Sequence, residues 1–265
     1  MRRRASAVAP LTAALAAVAL LVAAVVGTAR GERKQKDEVI ASLDGGISPL
    51  RLPRDRLAPV AVRLEGGLRT DDRSLLPRLA RVEIALPPEG VVSTRGLPVC
   101  SARRLRNRKP PAALAECGPA LVGRGSLEAR VVLPAQGPFT VQASLLLFNG
   151  RTAEGRRAVL IHGYARRPPT VVVLPFAMHR RSGAFGMALV AHLPPALGPW
   201  PRFARFEMTL SRRYRYRGRP RSFVSASCPV PPRLTAGFLT LARATYTLTD
   251  GRRLAVEITR GCRGA

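Results

Sequence analysis

TAGFLTLARATYTLTDGRRLAVEIT, residues 235–259, decides the fold. Two runs of β-branched, aromatic and aliphatic residues, Thr235 to Leu248 and Leu254 to Thr259, flank Asp250-Gly251. That dipeptide is the strongest hairpin signal in the chain, because a tight primed turn needs positive φ, which Asp and Gly tolerate best. The same grammar recurs upstream. Val60, Val62 and Leu64 alternate with polar residues in Ala58–Gly66, and Val82, Ile84 and Leu86 do so in Arg81–Leu86, the period of a half-buried strand. Pro87-Pro88-Glu89-Gly90 then supplies a turn.

Further β runs span Ser126–Leu133, Thr140–Phe148, Ala158–Ala165, Thr170–Met178, Ala184–Leu193, Phe203–Tyr216 and Ser222–Cys228, each bounded by Gly or Pro. The 24 Pro and 23 Gly are spread along the whole length, which suits short strands better than long helices. About eleven strands without intervening helical patterns predict a mainly β fold, an antiparallel β-sandwich or flattened barrel, rather than a parallel α/β sheet. One exception is a short helix near 110–122, where Pro110-Pro111 precedes Ala112, Ala113, Leu114 and Ala115.

The chain opens with an export layout. Arg2, Arg3 and Arg4 form a basic start, Ala13 to Val26 is uninterruptedly apolar, and Gly27-Thr28-Ala29 offers the small residues a signal peptidase reads. Cleavage after Ala29 competes with an uncleaved anchor or transmembrane helix over Ala5 to Ala29. The small residues, Pro10 and the cationic stretch that follows favour cleavage. The expected organisation is thus residues 1–29 as signal peptide or membrane anchor, 30–57 as a charged linker, and 58–265 as one antiparallel β domain. Either way the bulk of the chain is placed outside the cytoplasm.

Cys100, Cys117, Cys228 and Cys262 form no CxxC pair and lie at no ligand spacing from a histidine, so disulfides are the default. Of the three pairings, Cys100 with Cys117 and Cys228 with Cys262 is favoured, since each joins sequence neighbours and staples a local unit. Free thiols in a reducing compartment are the alternative.

The formal net charge is +28, almost all of it arginine, since lysine occurs only at Lys34, Lys36 and Lys109. One reading is compositional: a GC-rich genome writes Arg for Lys at tolerant surface positions. The other is functional: a surface so poor in carboxylates attracts polyanions. The stretch richest in arginine runs from Arg212 to Arg221 as RRYRYRGRPR. On a strand, Tyr214 and Tyr216 face one way while Arg213, Arg215 and Arg217 face the other. Such a hairpin either packs tyrosines and solvates arginines, or offers Arg213, Arg215, Arg217, Arg219 and Arg221 to phosphates as bidentate donors.

Catalytic patterns are sparse. His162 lies in an apolar run and reads as a strand histidine hydrogen-bonded to a neighbour, His179 as a solvated turn residue, and His192 as a residue sharing a sheet face with His162. No acidic third ligand accompanies them, which makes a poor metal site. Between Gly155 and Thr249 the only carboxylate is Glu207, so paired-acid glycan hydrolysis is not expected. GxSxG, GxxxxGK and HExxH motifs are missing, although triads assembled across strands leave no local trace. Asn149-Gly150 reads as a turn, or alternatively as a ligand-contacting loop.

An ordered set of motifs resembles a family of uncharacterised exported, β-rich proteins of high-GC actinobacteria. It comprises Gly96-Leu97-Pro98-Val99-Cys100, Cys117-Gly118 with Ala120 to Gly123 and Gly125, Pro138-Phe139, Leu147 to Gly150, Ile161-His162 with Tyr164, and Pro169-Thr170. Tyr214, Tyr216, Gly218, Ser222, Ala226, Cys228-Pro229, Asp250-Gly251 and Cys262 continue it, so roughly residues 47 to 262 are covered. The resemblance implies a secreted, largely β, two-disulfide domain and carries no activity, ligand or catalytic residue. The arginine-heavy surface departs from the Lys-rich surfaces of that family.

The expected function is a non-catalytic exported β domain that holds anionic envelope polymers or lipid headgroups. Neither a nucleic acid partner nor a cofactor is expected. The rival readings are an extracellular enzyme whose site is built across strands, and a membrane-tethered assembly module held by residues 5–29.

Overall fold

The computed structural model describes residues 31–72, 74–195 and 198–265; the expected signal or anchor segment, residues 1–29, lies outside them. In chain order the strands are β1 (Glu32–Lys36), β2 (Val39–Ser48), β3 (Arg51–Leu52), β4 (Ala58–Pro59), β5 (Ala61–Thr70), β6 (Leu79–Leu86), β7 (Gly90–Val92), β8 (Cys100–Ser101), β9 (Leu121–Val131) and β10 (Phe139–Arg151). They continue as β11 (Arg157–Arg166), β12 (Pro169–Arg180), β13 (Met187–His192), β14 (Pro201–Leu210), β15 (Arg213–Tyr216), β16 (Arg219–Ser222), β17 (Val224–Ala226), β18 (Ala236–Leu248) and β19 (Arg253–Gly264). Two short helices, α1 (Ala102–Leu105) and α2 (Pro110–Cys117), stand between β8 and β9.

One 14-stranded sheet dominates, in the order β1-β2-β5-β14-β9-β10-β11-β12-β13-β6-β18-β19-β3, with β8 beside β10. Its ladders are antiparallel except for β8 with β10 and β3 with β19. The mainly β, antiparallel character follows the sequence, but the strands form one continuous curled sheet where two stacked sheets were one of the expectations. Strand twist accumulates over so many strands and brings the two ends together. Arg260 on β19 donates to the Gly45 carbonyl at 2.8 Å and pairs with Asp44 on β2. Across the interior, the Tyr246 hydroxyl on β18 donates to the Ser42 carbonyl on β2 at 3.3 Å. Burial holds the Tyr246 phenol well above its ordinary pKa, so it stays a donor.

The curl encloses the main core. Val39, Leu43, Leu64, Val82, Leu145, Leu147, Phe206, Tyr246, Val256 and Ile258 all point into it. Alternate residues of the same strands point outward, and on β10 and β11 this outer face is also apolar. Leu146, Phe148, Ala158 and Leu160 are covered there by Leu105 of α1, Ala113 and Cys117 of α2, and Ala120. The helix expected near 110–122 is α2, which ends at Cys117, whereas α1 had no sequence expectation.

Five expectations need correction. Residues 30–57 are not a linker: β1, β2 and β3 belong to the sheet, and Val39, Ala41, Leu43, Ile47 and Leu52 sit in its core. The charges that suggested a linker lie on β1, whose five residues are all exposed, as an edge strand that resists pairing with other chains requires. Asp250-Gly251 does join β18 to β19, but only Gly251 takes positive φ (88°); Leu248 to Gly251 forms a type I turn completed by that left-handed residue, not a primed turn.

Asn149-Gly150 is no turn, because both residues continue β10, and the reversal falls at Thr152 to Arg156. Gly150 is needed there because β8 runs alongside: a Cβ would strike Leu160 and the Cys100 carbonyl. His179 is a half-buried member of β12 opposite Ala188, not a turn residue. The expected single strand Phe203–Tyr216 is broken after Leu210, where β14 leaves the large sheet and β15 begins a separate ribbon.

Candidate functional site

β15 and β16 form a two-stranded ribbon outside the large sheet. Arg217 (φ 51°) and Gly218 (φ 74°) make the two-residue loop, so the primed turn expected at 250–251 is found here. The register pairs Arg213 with Ser222, Tyr214 with Arg221, Arg215 with Pro220 and Tyr216 with Arg219. Directly opposed residues share a face. Arg213 and Arg215 therefore lie on the side away from the tyrosines, as the alternation predicted, but Arg219 and Arg221 flank the tyrosines. Arg217 sits in the turn with its guanidinium 5.5 Å from the Tyr216 ring centroid. The five arginines thus do not form one face: they surround the ribbon.

The tyrosine side is docked. Tyr214 donates its hydroxyl to the Arg95 carbonyl at 2.7 Å. The Tyr216 ring lies on Gly96, where a side chain would overlap it, with Arg95 at 6.0 Å on the ring. The docking loop is held in turn by Asn149, 1% exposed, whose side-chain amide donates to the Pro98 carbonyl at 2.8 Å and to that of Leu97 at 3.4 Å. Two residues on, Cys100 bonds to Cys117, with Cα atoms 5.6 Å apart. The ribbon is thereby tied through loop 93–99 to β10 and the helical cap, a route between residues 119 positions apart that no local pattern announces. The second bridge, Cys228 to Cys262 with Cα atoms 6.0 Å apart, fastens the segment after β17 to β19. Both bridges follow the predicted pairing.

Charge is arranged unevenly. Some arginines on or beside the large sheet meet carboxylates: Arg63 pairs with Glu65 and Glu207, Arg81 and Arg181 with Glu83, Arg243 with Glu257, and Arg260 with Asp44, whereas others such as Arg69, Arg124, Arg130, Arg157 and Arg253 have no carboxylate partner among the described residues. Arg252 holds Glu38 and Asp250 at 2.8 Å each. Its hydrogen bond lowers the Asp250 carboxyl below its ordinary range, and Glu38 is lowered by its own backbone hydrogen bond together with Arg252. Arg213, Arg215, Arg217, Arg219 and Arg221 are all exposed, and none has a carboxylate partner among the described residues.

The histidines are dispersed. His162 is fully buried under the cap, its Nε2 2.7 Å from the Arg108 carbonyl, so it fixes the α1–α2 connection to β11. His192 is exposed opposite Arg81, with β12 between its strand and that of His162. No group of three or more His, Cys, Asp or Glu residues that could hold a metal ion occurs among the described residues. A cavity of about 250 Å³ between α1 and β12 is lined by Arg106, Asn107, Arg151, Thr152, Val171 and Val173, with no histidine or carboxylate in its wall. No described helix is long and apolar enough to cross a membrane. Comparison with protein-family models, with curated proteins and with solved structures finds no match to this chain.

Proposed function

We propose that this chain works outside the cytoplasm as a non-catalytic β domain that attaches to a phosphate-bearing anionic polymer of the cell envelope through the β15–β16 ribbon. One observation carries the reading: five exposed arginines fall within nine residues on one small ribbon, and among the described residues none of the five has a carboxylate partner. Like charges gathered on one short ribbon repel one another. A polyanion relieves that repulsion and releases its own counterions. Guanidinium suits the role, since its planar fork grips a phosphate through two donors. Docking of Tyr214 and Tyr216 fixes the backbone of the ribbon before any ligand arrives, which lowers the ordering cost of binding.

Export is supported by the signal-like layout of residues 1–29, by two disulfides suited to an oxidising space, and by the resemblance to exported actinobacterial proteins. The curled sheet reads as a flattened barrel with its seam between β2 and β19, a rigid base for the ribbon.

Titration of the domain with inorganic polyphosphate across a salt series tests the proposal. Affinity should fall linearly with salt on logarithmic axes, and the fourfold variant R213A/R215A/R219A/R221A should lose roughly 0.7 from the slope for each phosphate contact removed. Equal slopes and equal affinities for the two proteins would remove the ribbon from the account.

A further inference from the structure

Phe238 is 86% exposed, Leu50 and Leu234 53% each, and the three gather at one corner of the domain. Phe238 and Leu50 line one shallow groove with Cys262 and Arg263. The Arg263 amide donates to the Leu50 carbonyl at 2.9 Å, which fixes β3 to the end of β19. Arg54 clamps the neighbouring turn, its guanidinium donating to the Pro231 carbonyl at 3.2 Å and the Leu234 carbonyl at 2.9 Å. The Cys228–Cys262 bridge closes the same segment. Three large apolar side chains are thus held out to solvent on a braced corner, where a merely tolerated apolar residue would be scattered singly.

Charge around the corner indicates the partner. Arg51, Arg233 and Arg263 are exposed beside the apolar side chains, Arg54 is half-buried among them, and Asp55 is the only carboxylate between Leu50 and Leu57. Apolar side chains ringed by guanidiniums match a lipid surface with anionic headgroups, where the rings and leucines enter the acyl boundary and the arginines meet phosphates.

We infer that the corner formed by Leu50, Leu234 and Phe238 is a membrane-contacting surface that seats the domain on an anionic lipid bilayer. It shares no residue with the arginine ribbon and does not rest on that reading.

Residues 31–265 form one compact unit holding the whole core and both disulfides, so this domain is the material to test. Co-sedimentation with vesicles of phosphatidylcholine, with and without phosphatidylglycerol, is measured at ~0.15 M and ~1 M salt, the latter shrinking the screening length to about 3 Å. The wild-type domain should bind the phosphatidylglycerol vesicles and keep part of that binding at high salt, because apolar insertion is not screened. L234S/F238S should lose tenfold or more at both salts with an unchanged melting profile, since burying one such side chain is worth about a factor of ten or more. F238W should bind like wild type, and R213A/R215A/R219A/R221A should retain the high-salt fraction. Equal vesicle binding by wild type and L234S/F238S would overturn the inference. So would a lipid-indifferent domain that sediments as a dimer and becomes monomeric in L234S/F238S, which would assign the corner to a second copy.

Discussion

Replacing both cysteines of one bridge by alanine, and then both of the other, separates what the two staples hold. Cys100–Cys117 spans 17 residues and Cys228–Cys262 spans 34. Closing loops of those lengths removes chain entropy worth about 3.1 and about 3.8 kcal/mol at 25 °C. The gap, about 0.6 kcal/mol for a loop twice as long, is a factor of roughly three in the unfolding equilibrium, so C228A/C262A should be the weaker protein in urea. Location adds a second distinction. Cys228 and Cys262 lie in the main core, whereas Cys100 and Cys117 lie in the satellite cluster that seats α1 and α2 on β10 and β11. Without its bridge that cap keeps the His162 contact to Arg108 and the apolar floor of Phe148 and Leu160. Loss of the bridge should therefore open the cap locally, raising amide exchange over 102–117 while β18 and β19 stay protected. Urea unfolding and hydrogen exchange on each variant give both readings. A larger cost for C100A/C117A, or exchange that rises evenly across the sheet in that variant, would refute this division of labour.

Asn149→Ala strands the buried Leu97 carbonyl and unties the Pro98 carbonyl, and should cost about 2 kcal/mol in urea unfolding. Polyphosphate affinity should fall with it, because the loop that docks the tyrosines loosens. Tyr246→Phe removes the link from β18 to β2 and should cost about 1 kcal/mol, whereas Tyr246→Ala also opens a cavity and should cost about 3–5 kcal/mol; thermal melts distinguish them. Asp250 and Glu38 have folded-state pKa values below their ordinary range, so their pairing with Arg252 is complete at neutral pH and is lost as acid takes the pH below about 4. Arg252→Met should flatten that part of the stability curve, read as melting temperature against pH.

Strands were legible where one face is buried and the other wet, because alternation then writes itself into the sequence: β5, β6 and β19 are of this kind. β2 was hidden, since Asp44, Gly45 and Gly46 interrupt its apolar positions, and only the pairing of Asp44 with a residue 216 positions away explains the charge. Asn149-Gly150 misled because its turn chemistry is real but overridden: tertiary contacts use the amide as a tie and the missing side chain as space for β8. The disulfide pairing followed from proximity in sequence. In the ribbon, the alternation of tyrosine with Arg213 and Arg215 was readable, but the places of Arg217, Arg219 and Arg221 were not. They depend on where the chain reverses, and Arg217 takes a left-handed conformation that its side chain gives no reason to expect. The docking of Tyr214 on Arg95 and the exposure of Phe238 are products of the tertiary fold and leave no mark on their own neighbourhoods.

Hydrogen exchange of the domain with and without saturating polyphosphate bears most directly on the arginine ribbon as the attachment site. Protection on binding should concentrate in residues 212–222 and in the docking loop 94–97, with the rest of the basic surface unchanged. Protection spread over the whole sheet, or centred on a segment that excludes the ribbon, would show that the positive charge acts as a diffuse cloud and not as a built site.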